Sequence, residues 1–199
     1  AHKEYLFQAT ARMMESEIRS IPEGTYHGEA KVYFDGKTPG SVYTIRVDIT
    51  VKGGTIVFDY SETDEQTNGF VNGTYTSSAS ATILTFLQMV NPNMPHNDGM
   101  IRPIEIVIPE GTILNASYPA ATTFGNHLCP PNADAIIRAL SPVIPDRVTA
   151  GWNQLLCSLT TGVDPRKGEK YVDIGFMGLK GGSGAMRGTD GYDHIGMID

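Results

Sequence analysis

The sequence predicts an α+β fold, with a mainly antiparallel or mixed sheet and interspersed helices. Two runs of strict apolar alternation, Tyr43 to Val51 and Ile56 to Tyr60, flank Gly53-Gly54. A Gly-Gly pair between alternating segments signals a hairpin, because the tight turns that match strand twist need positive φ. Apolar stripes at helical spacing stand before the hairpin and again after it. The predicted order is helix, three strands, helix, strand, helix, strand, strand, so antiparallel pairing comes first and helices are interspersed later.

The first helix rests on Phe7, Ala11, Met14, Ile18 and Ile21, which recur every three or four residues and stop at Pro22. It starts without a Ser, Thr, Asp or Asn cap, which points to a chain cut from something longer. A half-buried strand follows, with Tyr26, Gly28, Ala30, Val32 and Phe34 on one face and His27, Glu29, Lys31 and Tyr33 on the other. The hairpin comes next. Residues 61–78 are polar and form a long loop, and long ordered loops are often functional. Ser77 or Ser78 at its end is placed to cap a helix whose inward stripe is Ile83, Phe86, Leu87 and Val90.

Residues 97–128 organise the remainder. Asn97, Asp98 and Gly99 form a turn in which Gly99 supplies positive φ. Ile104, Ile106 and Ile108 alternate with Glu105 and Val107, a strand expected to be buried on nearly both faces and ended by the turn at Pro109. A polar approach through Gly125, Asn126 and His127 leads to a short helix capped by Asn132, with Ile136, Ile137 and Leu140 inward and Pro142 beyond its end. Two further strands rest on Leu155, Cys157 and Leu159 and on Val172, Ile174 and Phe176.

The 199 residues read as a single domain, with 40% hydrophobic and 19% charged residues. A net charge of −7, without a Lys or Arg cluster, argues against a nucleic-acid partner. No run approaches the roughly 20 apolar residues that a bilayer crossing needs, and no signal-peptide pattern opens the chain, so a cytoplasmic location without a membrane partner is expected. Cys129 and Cys157 form no metal-type pair, and in a reducing compartment both are expected as thiols.

The Gly-rich stretch over residues 178–196 spaces its glycines one residue too widely for a dinucleotide fingerprint and lacks the Gly-Lys-Ser/Thr of a P-loop. His96, Asp98, His127, Asp193 and His194 show no i, i+4 pair of the kind that makes a zinc motif, so no metal ligands are assigned within this chain. Glu62, Asp64 and Glu65 read as a solvated loop face. No catalytic nucleophile is assigned: Cys129 sits before Pro130 and Pro131, with His127 too near in sequence to serve as its base.

The order Asn97-x-Gly99, Arg102-Pro103-Ile104, an apolar strand, Pro109-x-Gly111-Thr112, Pro119-Ala120 and a helix ending Ala139-Leu140 resembles the hydantoinase B/oxoprolinase family. Further marks are Ile21-Pro22-x-Gly24-Thr25-Tyr26, Asp59, Gln66, Gly69, Asn72, Pro145 to Ala150, and Gly181-Gly182-x-Gly184-Ala185 with Asp190-Gly191. Glu62 and Phe70 depart from the family's habitual Gly and Pro. The resemblance implies part of the catalytic subunit of an ATP-dependent cyclic-amide hydrolase of the hydantoin or 5-oxoproline type. This part would shape a substrate cavity and an intersubunit surface, and would be inactive in isolation. A fragment of an ATP-dependent ketone carboxylase, or a non-catalytic assembly module, is the alternative.

The resemblance further implies a hydantoinase A-type, actin-like ATPase partner and a small cyclic-amide substrate. ATP with Mg, and a subunit metal bound upstream of these residues, belong to the complete enzyme; no cofactor is assigned to this chain. On the same basis the substrate-positioning candidates are Asn97, Asp98, Arg102, Asn126, His127, Gly181, Gly182 and Gly184.

Overall fold

The computed structural model describes residues 2–122, 125–151, 158–175 and 182–192. Contacts divide the chain into two compact units, Ala1–Val148 and Thr149–Asp199. The fold is mixed, with helices around a four-stranded sheet, in agreement with the class predicted from sequence.

In the first unit, α1 spans His2–Arg19 and buries Ala11, Met14 and Ile18 of the predicted stripe together with Thr10, while Phe7 is half-buried and Ile21 is buried just beyond the helix. The strands β1 (Gly24–Tyr33), β2 (Val42–Lys52), β3 (Thr55–Asp59) and β4 (Ile104–Val107) lie in the order β1-β2-β3-β4. The first three pair antiparallel, and β3 pairs parallel with β4. Gly53 and Gly54 both take positive φ, at 61° and 87°, as the hairpin turn requires. On β2, Ile45, Val47, Ile49 and Val51 point into the core with Ile56, Phe58 and Tyr60 from β3 and its end.

Several elements depart from the sequence-based expectation. The helix α2 (Tyr75–Leu87) is capped by Thr74, whose hydroxyl accepts from the Ser77 amide, so the cap lies three residues before Ser77. Its buried face is Ser78, Ala81, Thr82, Thr85 and Phe86, while Ile83 and Leu87 are only half-buried. Ser78 and Thr82 face inward because they meet a polar network described below, while the Thr85 hydroxyl donates to the Ala81 carbonyl of its own helix. The helix α3 (Cys129–Leu140) starts three residues before Asn132, with Pro130 and Pro131 in its first turn, where a missing amide costs no hydrogen bond. Asn132 is thus buried inside the helix rather than capping it.

β4 is an edge strand, so its residues are half-buried or exposed and only the following Ile108 is buried. Phe34 falls beyond β1 with φ at 91° and is exposed. Gly99 is not among the positive-φ residues; a side chain there would collide with the Phe7 carbonyl on α1.

In the second unit, β5 (Ser158–Val163) pairs antiparallel with β6 (Lys170–Gly175). Leu155, Cys157 and Phe176, expected on these strands, lie outside the described residues. The Gly-rich stretch carries a bridge between Met186 and Thr189, and Ser183 is hydrogen-bonded to Tyr192.

Candidate functional site

Parallel strands present their carboxyl ends, and the loops that follow them, along one edge, where open α/β sheets commonly take ligands. The β3–β4 pair does this at Asp59 and Val107. The loop after β3 and the turn after β4 are tied together there: the Gln66 amide donates to the Gly111 carbonyl, the Ile113 amide donates to the Asp64 carbonyl, and Glu65 bridges Thr112. Between them opens a cleft of about 620 Å³, lined chiefly by Glu62, Glu65, Gln66, Glu110, Thr112 and Ser117.

The cleft's polar groups are held by specific bonds. Gln66 Oε1 accepts from the Ser117 amide at 2.7 Å, and the Ser117 hydroxyl donates to Glu110 at 3.0 Å. The Gln66 side chain is bonded through Oε1 alone, and its Nε2 donor has no hydrogen-bond partner among the described residues. Three carboxylates and one amide donor form the wall, a set that accepts an N–H and donates to a carbonyl oxygen.

A second hollow of about 460 Å³ is lined by His27, Gly28, Glu29, Arg46, Asp48 and Glu62. Glu62 lines both, so the two hollows adjoin at its side chain. Arg46 Nη1 donates to the Glu62 carbonyl at 2.9 Å and to Asp64 at 2.6 Å, and the Thr44 amide also donates to Asp64. Of the expected solvated acidic face, Glu62 and Glu65 are exposed groove walls, whereas Asp64 is a half-buried anchor.

Behind the groove the long loop is rigidly held. The Asp35 carboxylate accepts from the Lys37 and Thr38 amides and from the Thr67 and Tyr43 hydroxyls. The Thr38 amide first, with the Thr67 hydroxyl, holds the Asp35 carboxyl well below the usual carboxylate range. The fully buried Asn72 donates to the Thr67 and Ala121 carbonyls and accepts from the Thr67 amide. Deeper in the core, the Tyr60 hydroxyl meets Asn132 Oδ1 and Thr82, each at 2.7 Å, and burial pushes its phenol well above the ordinary value.

The sequence-based site residues fall in separate places. Asn97 and Arg102 face α1: Asn97 donates to the Thr10 hydroxyl, and Arg102 makes a two-point pair with Glu4 while lying over the Phe7 ring. Asp98 is exposed in the same turn and acts electrostatically on Arg102. Asn126 and His127 occupy the single 3-10 turn Gly125–Leu128 before α3, where partial burial lowers the His127 imidazole below its usual range. None of these lines the groove. Gly182 and Gly184 belong to the second unit, and Gly181 lies outside the described residues. Cys129 is a half-buried free thiol 3.8 Å from the Ser77 hydroxyl; Cys157 lies outside the described residues.

The sequence reading passed over His27, Asp48, Arg46, Glu110 and Ser117. Alternation already set His27 and Asp48 on the polar faces of two strands, but only the register brings them together. Among the described residues no three His, Cys, Asp or Glu side chains are grouped to hold a metal ion, so these residues do not fit a metal centre.

Comparison with known proteins adds a lineage. The family described as hydantoinase B/oxoprolinase matches residues 1–199. The B-type subunit of the putative D-/L-hydantoinase of Pseudomonas sp. (strain NS671) is 32% identical over 206 residues, covering 98% of this chain and 34% of the relative. The ATP-dependent caprolactamase of Pseudomonas jessenii superposes with a TM-score of 0.79 at 26% identity, over 96% of this chain and 33% of that one. An acetone carboxylase structure superposes with a TM-score of 0.76 at 20% identity, over 94% of this chain and 27% of that one, a likeness of fold. The chain thus spans about a third of the length of these relatives.

Proposed function

The chain belongs to the hydantoinase B/oxoprolinase family, and we propose that it is part of the catalytic subunit of a cytoplasmic, ATP-dependent cyclic-amide hydrolase. The observation that carries the reading is the groove at the carboxyl ends of β3 and β4. Its wall offers Gln66 Nε2 to a ring carbonyl and the Glu62, Glu65 or Glu110 carboxylate to a ring N–H, the two hydrogen-bonding groups of a lactam or hydantoin.

In this reading an ATPase partner phosphorylates the amide oxygen, making the ring carbon open to water, and the groove orients the activated ring. ATP and Mg belong to that partner, and the subunit metal belongs to sequence beyond these residues. Asn97, Asp98 and Arg102 position the segment entering β4; Asn126 and His127, and separately Gly182 and Gly184, contribute to surfaces completed by the rest of the subunit or by its partner.

The test is turnover by the complete enzyme, supplied with ATP and offered 5-oxoproline, hydantoin and caprolactam, against acetone with bicarbonate. Ring opening coupled to ADP release is the expected result. Bicarbonate-dependent carboxylation of the ketone, with no lactam opened, would replace the hydrolase by a carboxylase.

A further inference from the structure

His27 and Asp48 stand opposite each other on β1 and β2, and the imidazole Nδ1 lies 2.6 Å from the Asp48 carboxylate. Alternation turns them away from α3, because it is the adjacent Gly28 that α3 touches. A carboxylate only accepts, so the bond sets the Nδ1–H tautomer of the neutral ring and leaves the lone pair on Nε2. Nε2 has no partner among the described residues, and the side chain is 73% exposed within the second hollow.

Such a pair contributes little to stability, because water competes for both partners. Its arrangement is that of an oriented base: a histidine whose outer nitrogen is open and whose inner nitrogen is fixed by an acid. The charged groups around it are Glu29 on β1, Arg46 on β2, Asp59 opposite Asp48 on β3, and Glu62 on the loop that joins the two hollows.

We propose that His27, positioned by Asp48, relays the proton when water adds to an O-phosphorylated cyclic amide in this groove; the inference rests on the function proposed above. Phosphorylation of the amide oxygen, with the ring N–H proton released to solvent, leaves a neutral C=N bond in the ring. The water oxygen bonds to that carbon, its proton passes to His27 Nε2, and the C=N electron pair moves onto the ring nitrogen. His27 then returns the proton to that nitrogen. One water is added across C=N, and the neutral imidazole is restored. His27 is the catalytic residue of the step, and Asp48 is a positioning residue.

The experiment uses the complete enzyme with ATP and its best cyclic amide. His27→Ala is expected to lower kcat by about 100-fold or more, the range of a lost general base, with KM within about threefold. Added imidazole should restore at least about tenfold, a rescue that a structural role would not show. Asp48→Asn should lower kcat by about tenfold, with Asp48→Glu recovering most of it. A His27→Ala enzyme within threefold of wild type, or one that loses activity without response to imidazole, overturns the inference while leaving the function in place. Absence of any ATP-dependent ring opening in the wild type removes both together.

Discussion

The side chains that hold the groove from behind are buried polar groups with every partner supplied, and each makes a separate demand on stability. Replacing Tyr60 by Phe keeps its packing but strands Asn132 Oδ1 in the core, where an unsatisfied acceptor costs about 1–3 kcal/mol. Urea denaturation of Tyr60→Phe should show that loss, and an unchanged midpoint would mean that the network is dispensable. Asp35 is the acid-sensitive member. Its folded-state pKa lies below the unfolded value, so its stabilisation is present above about pH 4 and is lost as pH falls toward the folded pKa. Thermal melts should therefore find Asp35→Asn less stable than wild type at pH 7, with the gap closing as pH drops below about 4. A gap that widens in acid would contradict this origin. None of these partners was legible in the sequence: Asp35 and Thr67 are 32 residues apart, and Tyr60 and Asn132 are 72 apart, with no local pattern announcing either bond.

At the scale of elements, local rules served where local physics decides. The Gly53-Gly54 hairpin and the α1 stripe followed from period and turn chemistry, and the structure holds both. The helix α2 did not obey hydrophobicity, since Ile83 lies partly outward and Thr82 inward; a polar core network outweighed the simple apolar stripe. β4 looked doubly buried because its sequence is nearly continuous in apolar residues, but strand order put it at an edge, which no single strand reveals. The contact that decides where α3 sits is with β1. A Cβ on Gly28 would lie 2.0 Å from the Ala135 carbonyl and 2.9 Å from the Ala139 side chain. Gly28→Val should force the helix off the sheet and cost about 1–3 kcal/mol, as overpacking does. Chemical denaturation checks this, and a fully stable valine variant would show that α3 packs elsewhere.

For the whole molecule, the family was readable from the order of scattered marks, while the groove was not. Its walls come from residues 61–66 and 110–117, brought together by parallel pairing of strands that are far apart in sequence, and the adjoining hollow from the β1–β2 register. Gln66 was visible as a family mark and Glu62 and Glu65 as loop carboxylates, but only folding joins them to Glu110 and Ser117. If this groove receives the cyclic amide, its polar wall must contribute to the reaction. The decisive comparison is kcat/KM of the complete enzyme carrying Gln66→Ala or Glu110→Gln against that of Lys37→Gln on the exposed β1–β2 loop. Losses of about tenfold or more are expected for the two groove variants, as for a lost hydrogen bond worth about 1.4 kcal/mol, with a Lys37→Gln value near wild type. Wild-type kcat/KM in both groove variants, with the fold intact, would contradict a substrate role for the groove.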